Sequence, residues 1–150
     1  MPSVTMRRTS MRVRSAAVVV HGDRVLVIGR RTEGRNYCVL PGGGVEEGES
    51  LRDACRRELL EETGLDGDVG DLLDVPVDGE VPAAYFAVRV TSTEVSLGGP
   101  ELHRASDSNE YDPSWVAVTA LDDVHLVPDG ARLAVSVALS TSRRPPTPSR

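Results

Sequence analysis

Residues 42–65, G-G-G-V-E-E-G-E-S-L-R-D-A-C-R-R-E-L-L-E-E-T-G-L, constrain the fold more than any other stretch of the chain. The second half reads as a helix: Ser50 suits the N-cap with Asp53 in the reciprocal position, and Gly64 suits the stop. Leu51, Ala54 and Cys55 begin an inward stripe that the 3.6-residue period carries through 58, 61, 62 and 65. Three of those four positions are Glu58, Glu61 and Glu62, and only Leu65 is apolar. Carboxylates are rarely buried unless paired or bound to metal. Their i, i+3 and i, i+4 spacing converges on one patch, where bare charges repel and a hard divalent cation turns repulsion into ligation. The alternative is a solvated acidic face with Arg56 and Arg57 as surface partners.

From Gly43 the segment reads G-x5-E-x7-R-E-U-x-E-E-x-G-U (U, an apolar residue), with Glu49, Arg57, Glu58, Leu59, Glu61, Glu62, Gly64 and Leu65 in place. This resembles the signature of the Nudix hydrolases at every fixed position. By composition, such a match arises by accident on the order of once in 10⁹ windows. The resemblance implies an α/β fold, a mixed β-sheet between helices in an α/β/α sandwich. It implies hydrolysis of the diphosphate linkage in a nucleoside diphosphate derivative, such as a (d)NTP, ADP-ribose or a nucleotide sugar. It implies Mg²⁺, or Mn²⁺, held by Glu58, Glu62, Glu61 and the carbonyl of Gly42, and casts Glu61 as ligand or base. Arg57 becomes a supporting residue that orients a carboxylate, and Glu49 a ligand or a partner of one, against the simpler reading of a first-turn carboxylate facing the helix dipole. Family members draw one further carboxylate from the region before the last strand, where Glu110 is the best positional match. Two other classes stay open: a nucleotide-sensing binding module with little turnover, and a protein whose cation only orders the helix.

The chain is 150 residues long and suits one domain, expected over 11–141, with disordered ends at 1–10 and 142–150. A net charge of -6 argues against a general binder of nucleic-acid polymers or of membrane surfaces, leaving a small nucleotide as the expected partner. Every basic residue is Arg, which reads as genome composition. Cys38 and Cys55 lack metal-ligand spacing and read as free thiols, and with no apolar run of membrane-spanning length the expected location is the cytoplasm. Monomer and homodimer both remain open.

Along the chain, 12–20 and 24–28 read as a β-hairpin around His21-Gly22-Asp23, and 37–40 as a strand leading into the glycines. Arg30 and Arg31 follow the second strand; the choice is a solvated basic loop or phosphate contacts, and Arg31 is favoured because similar enzymes place an Arg there. Strands are expected at 69–77, 83–91 (with Tyr85 and Phe86 as core) and 115–119, the last anchored by Trp115. Between 91 and 115 lies a long polar loop containing His103, and Asp129 is expected to cap a closing helix over 130–140. Pro82 lies near where some ADP-ribose-cleaving relatives of the resembled family carry a proline.

Overall fold

The computed structural model describes residues 13–75, 82–95 and 109–143. Of the disordered ends expected at 1–10 and 142–150, residues 142 and 143 belong to the closing helix, while 1–10 and 144–150, and most of the polar loop with His103, lie outside the described residues. The strands are β1 (Arg14–His21), β2 (Arg24–Thr32), β3 (Arg35–Val39), β4 (Gly42–Gly44), β5 (Asp68–Leu72), β6 (Ala83–Arg89) and β7 (Asn109–Ala117). The helices are α1 (Leu51–Thr63) and α2 (Asp129–Arg143). The sheet is mixed: β1 runs parallel to β6, while β2, β4 and the β5–β6, β2–β3 and β2–β7 pairs are antiparallel.

Alternation along β1 divides the core. Ala16 and Val18 face a cluster with Val25, Val27, Tyr85 and the α2 residues Ala131, Ala134, Val135 and Ala138. Ala17 and Val19 face the other way, onto Leu26, Phe86, Val88 and the α1 residues Cys55 and Leu59. Successive side chains of a strand point to opposite faces, so one strand serves two cores and the sheet lies between two helices. The expected α/β/α arrangement is the one observed, and Tyr85 and Phe86 are core residues.

Strand β2 runs on to Thr32, so Arg30 and Arg31 lie within it and not in a loop after it. Three further details of the strands and of α2 differ from the sequence reading. The glycine run, expected only to follow a strand, is itself one: Ser15 pairs with Gly43 and Ala16 with Gly42. A Cβ on Gly42 would stand 2.6 Å from the Ser15 carbonyl oxygen and 2.7 Å from the Ala16 Cα, so only glycine lets these backbones approach. Second, β7 begins at Asn109, inside the expected loop, and gives way to a 3₁₀ turn at Val118–Ala120. It pairs with β2 alone among the described strands, and an edge strand accepts the polar run and Pro113 that disguised it. Third, Asp129 lies in the first turn of α2 and does not precede it. Trp115 packs only partly against the α1-side core, and its indole Nε1 donates to the Thr93 carbonyl at 2.8 Å.

Candidate active site

Helix α1 starts and stops as its sequence dictates. The Ser50 hydroxyl accepts from the Asp53 N–H at 3.0 Å, and Gly64, at φ 77°, turns its own N–H back to the Leu60 carbonyl at 2.9 Å. The buried residues of α1 are Ala54, Cys55, Leu59, Glu62 and Thr63. The inward face is therefore rotated from the expected stripe: Leu51 is 36% exposed, while Leu59 fills the middle of the core. Glu58 and Glu61 flank that face, with side chains 14% and 30% exposed, and Glu62 lies within it at 8%.

Each carboxylate is held. Glu62 Oε1 accepts from the Gly42 N–H at 2.7 Å. Arg57 gathers the others: its Nε and Nη2 donate to the two oxygens of Glu49 at 2.8 and 2.9 Å, and its Nη1 donates to Glu58 Oε2 at 3.0 Å and Glu61 Oε1 at 3.3 Å. Nη2 also donates to the Gly44 carbonyl at 3.1 Å, tying α1 to the glycine strand. The alternative of Arg56 and Arg57 as surface partners holds for Arg56 alone, which forms an exposed fork with Asp66. The Glu58 carboxylate lies where a side chain at residue 43 would be, since a Cβ on Gly43 would come within 2.7 Å of its Oε1 and closer still to Oε2. Glycine at 43 thus makes room for a carboxylate, whereas glycine at 42 makes room for a backbone.

The hydrogen bonds from Arg57, and then the backbone N–H of Glu46, hold the Glu49 carboxyl far below its ordinary 4.5, at about 2. A folded-state value below the unfolded one stabilises the fold above the unfolded value, and that contribution is lost as pH falls. Wild type is expected to exceed Glu49→Gln in urea midpoint most at pH 7, with the gap closing between about pH 4.5 and pH 2. Urea titrations of both proteins across that range check this. Burial also pushes the Cys55 thiol up to about 12, which marks it as a core residue, and Cys38 is likewise raised by burial and then by Asp112.

The chemistry of this cluster suits a hard cation. Among the described residues no three His, Cys, Asp or Glu side chains are arranged around one metal position, because Arg57 and the Gly42 N–H hold the carboxylates. Glu58, Glu61 and Glu62 share one region of α1, so side-chain rotations alone can direct them to a common ion. The donors are all oxygen, as Mg²⁺ and Mn²⁺ prefer. The Gly42 carbonyl already accepts from a cation, the Arg14 guanidinium, at 3.3 Å. These residues fit a divalent ion.

Arg30 and Arg31 line a cleft of about 320 Å³ bordered also by Asn36, Tyr37, Asp112 and His125, to which the α1 carboxylates do not contribute. The Arg30 guanidinium stacks 4.1 Å from the Tyr111 ring centroid and donates to its hydroxyl at 3.2 Å, so it is fixed by aromatic contact. Arg31 is exposed, and Glu110 lies opposite it in the β2–β7 register. The Glu110 side chain lies outside the described residues. Sequence reading missed Arg14, whose approach to Gly42 depends on the β1–β4 pairing and leaves no local pattern.

The sequence model of the NUDIX domain matches residues 11–135. A protein of Mycobacterium tuberculosis named "Putative 8-oxo-dGTP diphosphatase 2" is 37% identical over 122 residues, 75% of this chain and 78% of that one. The ADP-ribose pyrophosphatase of Methanocaldococcus jannaschii is 30% identical over 122 residues, 77% of this chain and 70% of that one. Short matches of 37 to 41 residues reach RNA pyrophosphohydrolases of Wolbachia, of whose length the chain spans about a quarter. A NUDIX hydrolase structure from Nitrosomonas europaea superimposes with a TM-score of 0.64 at 23% identity, over 90% of this chain and 93% of that one, which supports the fold. With the match running from ahead of β1 into α2, the chain belongs to the Nudix family.

Proposed function

We propose that this chain is a divalent-metal-dependent pyrophosphohydrolase that cuts the P–O–P bridge of a nucleoside diphosphate derivative, releasing a nucleoside monophosphate. The observation that carries the reading is the carboxylate cluster of α1, set against the glycine strand and oriented by Arg57. When bound, Mg²⁺ or Mn²⁺ neutralises charge on the phosphate oxygens and activates water. Glu58 and Glu62 are the principal ligands in this proposal, joined by Glu61 and the Gly42 carbonyl. Arg57 fixes the direction of Glu58, and its hold on Glu49 keeps that carboxylate ionised as a brace. Proton acceptance from water falls to Glu61, the most exposed of the three carboxylates, or to Glu110 on β7. The cleft with Arg30 and Arg31 is the proposed contact for the part of the substrate that Arg can grip, its phosphates. The relatives' names bring two substrate classes forward, ADP-ribose and oxidised purine deoxynucleoside triphosphates.

A panel of nucleoside diphosphate derivatives containing both classes, assayed for phosphate-bearing products with and without Mg²⁺, tests the reading. The expected result is nucleoside monophosphate, formed only with the ion. Tight binding of one compound without turnover would favour a sensor. A metal-dependent rise in melting temperature without turnover of any compound would favour a structural cation.

A further inference from the structure

Two arginines touch the glycine strand, and they are held very differently. Arg57 is committed, with a bidentate fork on Glu49 and further bonds to Glu58, Glu61 and the Gly44 carbonyl. Arg14, at the first position of β1, is exposed and meets the Gly42 carbonyl through one bond of 3.3 Å. That length is beyond the usual range for N–H···O bonds, and the side chain behind it is long and flexible. The same glycine fixes Glu62 through its N–H. Gly42 therefore carries a tethered carboxylate on its nitrogen and an exchangeable positive charge on its oxygen.

We propose that Arg14 is a positioning residue that holds the Gly42 carbonyl until a divalent ion takes it, and then turns its guanidinium to the phosphate oxygens of the substrate. The proposal rests on the metal-dependent reading above. A guanidinium and a divalent ion on one carbonyl oxygen repel at a few ångströms, so ion binding favours the departure of Arg14. A phosphate arriving with the ion offers that fork a bidentate partner of opposite charge. The exchange makes and breaks only hydrogen bonds and ligand contacts.

Two titrations of the full chain test it, on wild type, Arg14→Ala and Arg14→Lys: Mn²⁺ followed by the paramagnetic signal of the free ion, and then α,β-methylene-ADP added to the Mn²⁺-loaded protein. Arg14→Ala is expected to bind Mn²⁺ about fivefold more tightly, because a competing cation is gone. Its Mn²⁺-loaded form is expected to bind the analogue about tenfold more weakly, with Arg14→Lys recovering part of that loss. A purely structural arginine would lower the melting temperature of the variants and leave both affinities where they were. Mn²⁺ binding that is unchanged or weaker in Arg14→Ala, or an unchanged analogue affinity, overturns the role of Arg14 while the metal site stands. Absence of Mn²⁺ binding in all three proteins overturns the metal-dependent reading, and the proposal with it.

Discussion

Glu58→Gln is expected to lower turnover by about three orders of magnitude or more while shifting the melting temperature of the metal-free protein by only a few degrees. Glutamine keeps the shape and one acceptor, so Arg57 Nη1 retains a partner at the position of Oε2. What is lost is one negative charge from a cluster in which Glu46, Glu49, Glu58 and Glu61 all lie within 4.0 Å of one guanidinium. Losing a charge-assisted bond destabilises, and relieving repulsion among carboxylates stabilises; the two effects oppose each other. The catalytic loss has no such offset. Steady-state rates with Mg²⁺, beside thermal melts of the same preparation in a chelator, separate the two. If Glu58→Gln cannot fold, Glu58 is a structural ion-pair partner and the enzymatic reading loses its chief ligand.

The neighbouring glycines should divide the same two properties the other way round. Gly42→Ala drives a methyl group into the Ser15 carbonyl and the Ala16 backbone, which cannot move without parting β4 from β1. The expected cost is about 3 kcal/mol or more, a large share of the stability of a domain this size. Gly43→Ala meets first the Glu58 carboxylate, the far end of a flexible side chain that can swing away. Its melting temperature should stay close to wild type, while activity falls nearly as far as in Glu58→Gln. Urea denaturation and Mg²⁺-dependent turnover of the two alanine variants, compared side by side, check the contrast. Equal stability of the two proteins would contradict the backbone–side chain distinction drawn from the structure.

The legible parts of this protein were the local ones. Ser50, Asp53 and Gly64 mark the ends of α1 because capping is settled within a few residues of chain. The continuous β-branched runs of β1 and β2 announce themselves for the same reason. Glu58, Glu61, Glu62, Arg57 and Gly42 were legible as a group because their spacing and the family resemblance agree, and the structure brings them into one neighbourhood. What escaped was non-local. The extended glycine strand exists only because β1 lies beside it, and nothing at 42–44 in the sequence says so. Leu59 matches an apolar position of the signature but is absent from the inward stripe read from the sequence, because the acidic positions dominated the periodicity. The sheet instead chose the face that seats Leu59 on Leu26, Phe86 and Val88. The first half of β7 is polar because an edge strand has one partner and a wet flank, so its composition resembles a loop.

Arg57 has one more consequence, for the order of events in the life of the molecule. By lacing helix, turn and glycine strand together with its own guanidinium, the chain carries an internal counter-ion for its acidic patch. Small zinc domains acquire their shape only when metal arrives. On the metal-dependent reading proposed above, assembly and loading would be separate events, and the ion's binding energy would be left for the phosphates it holds.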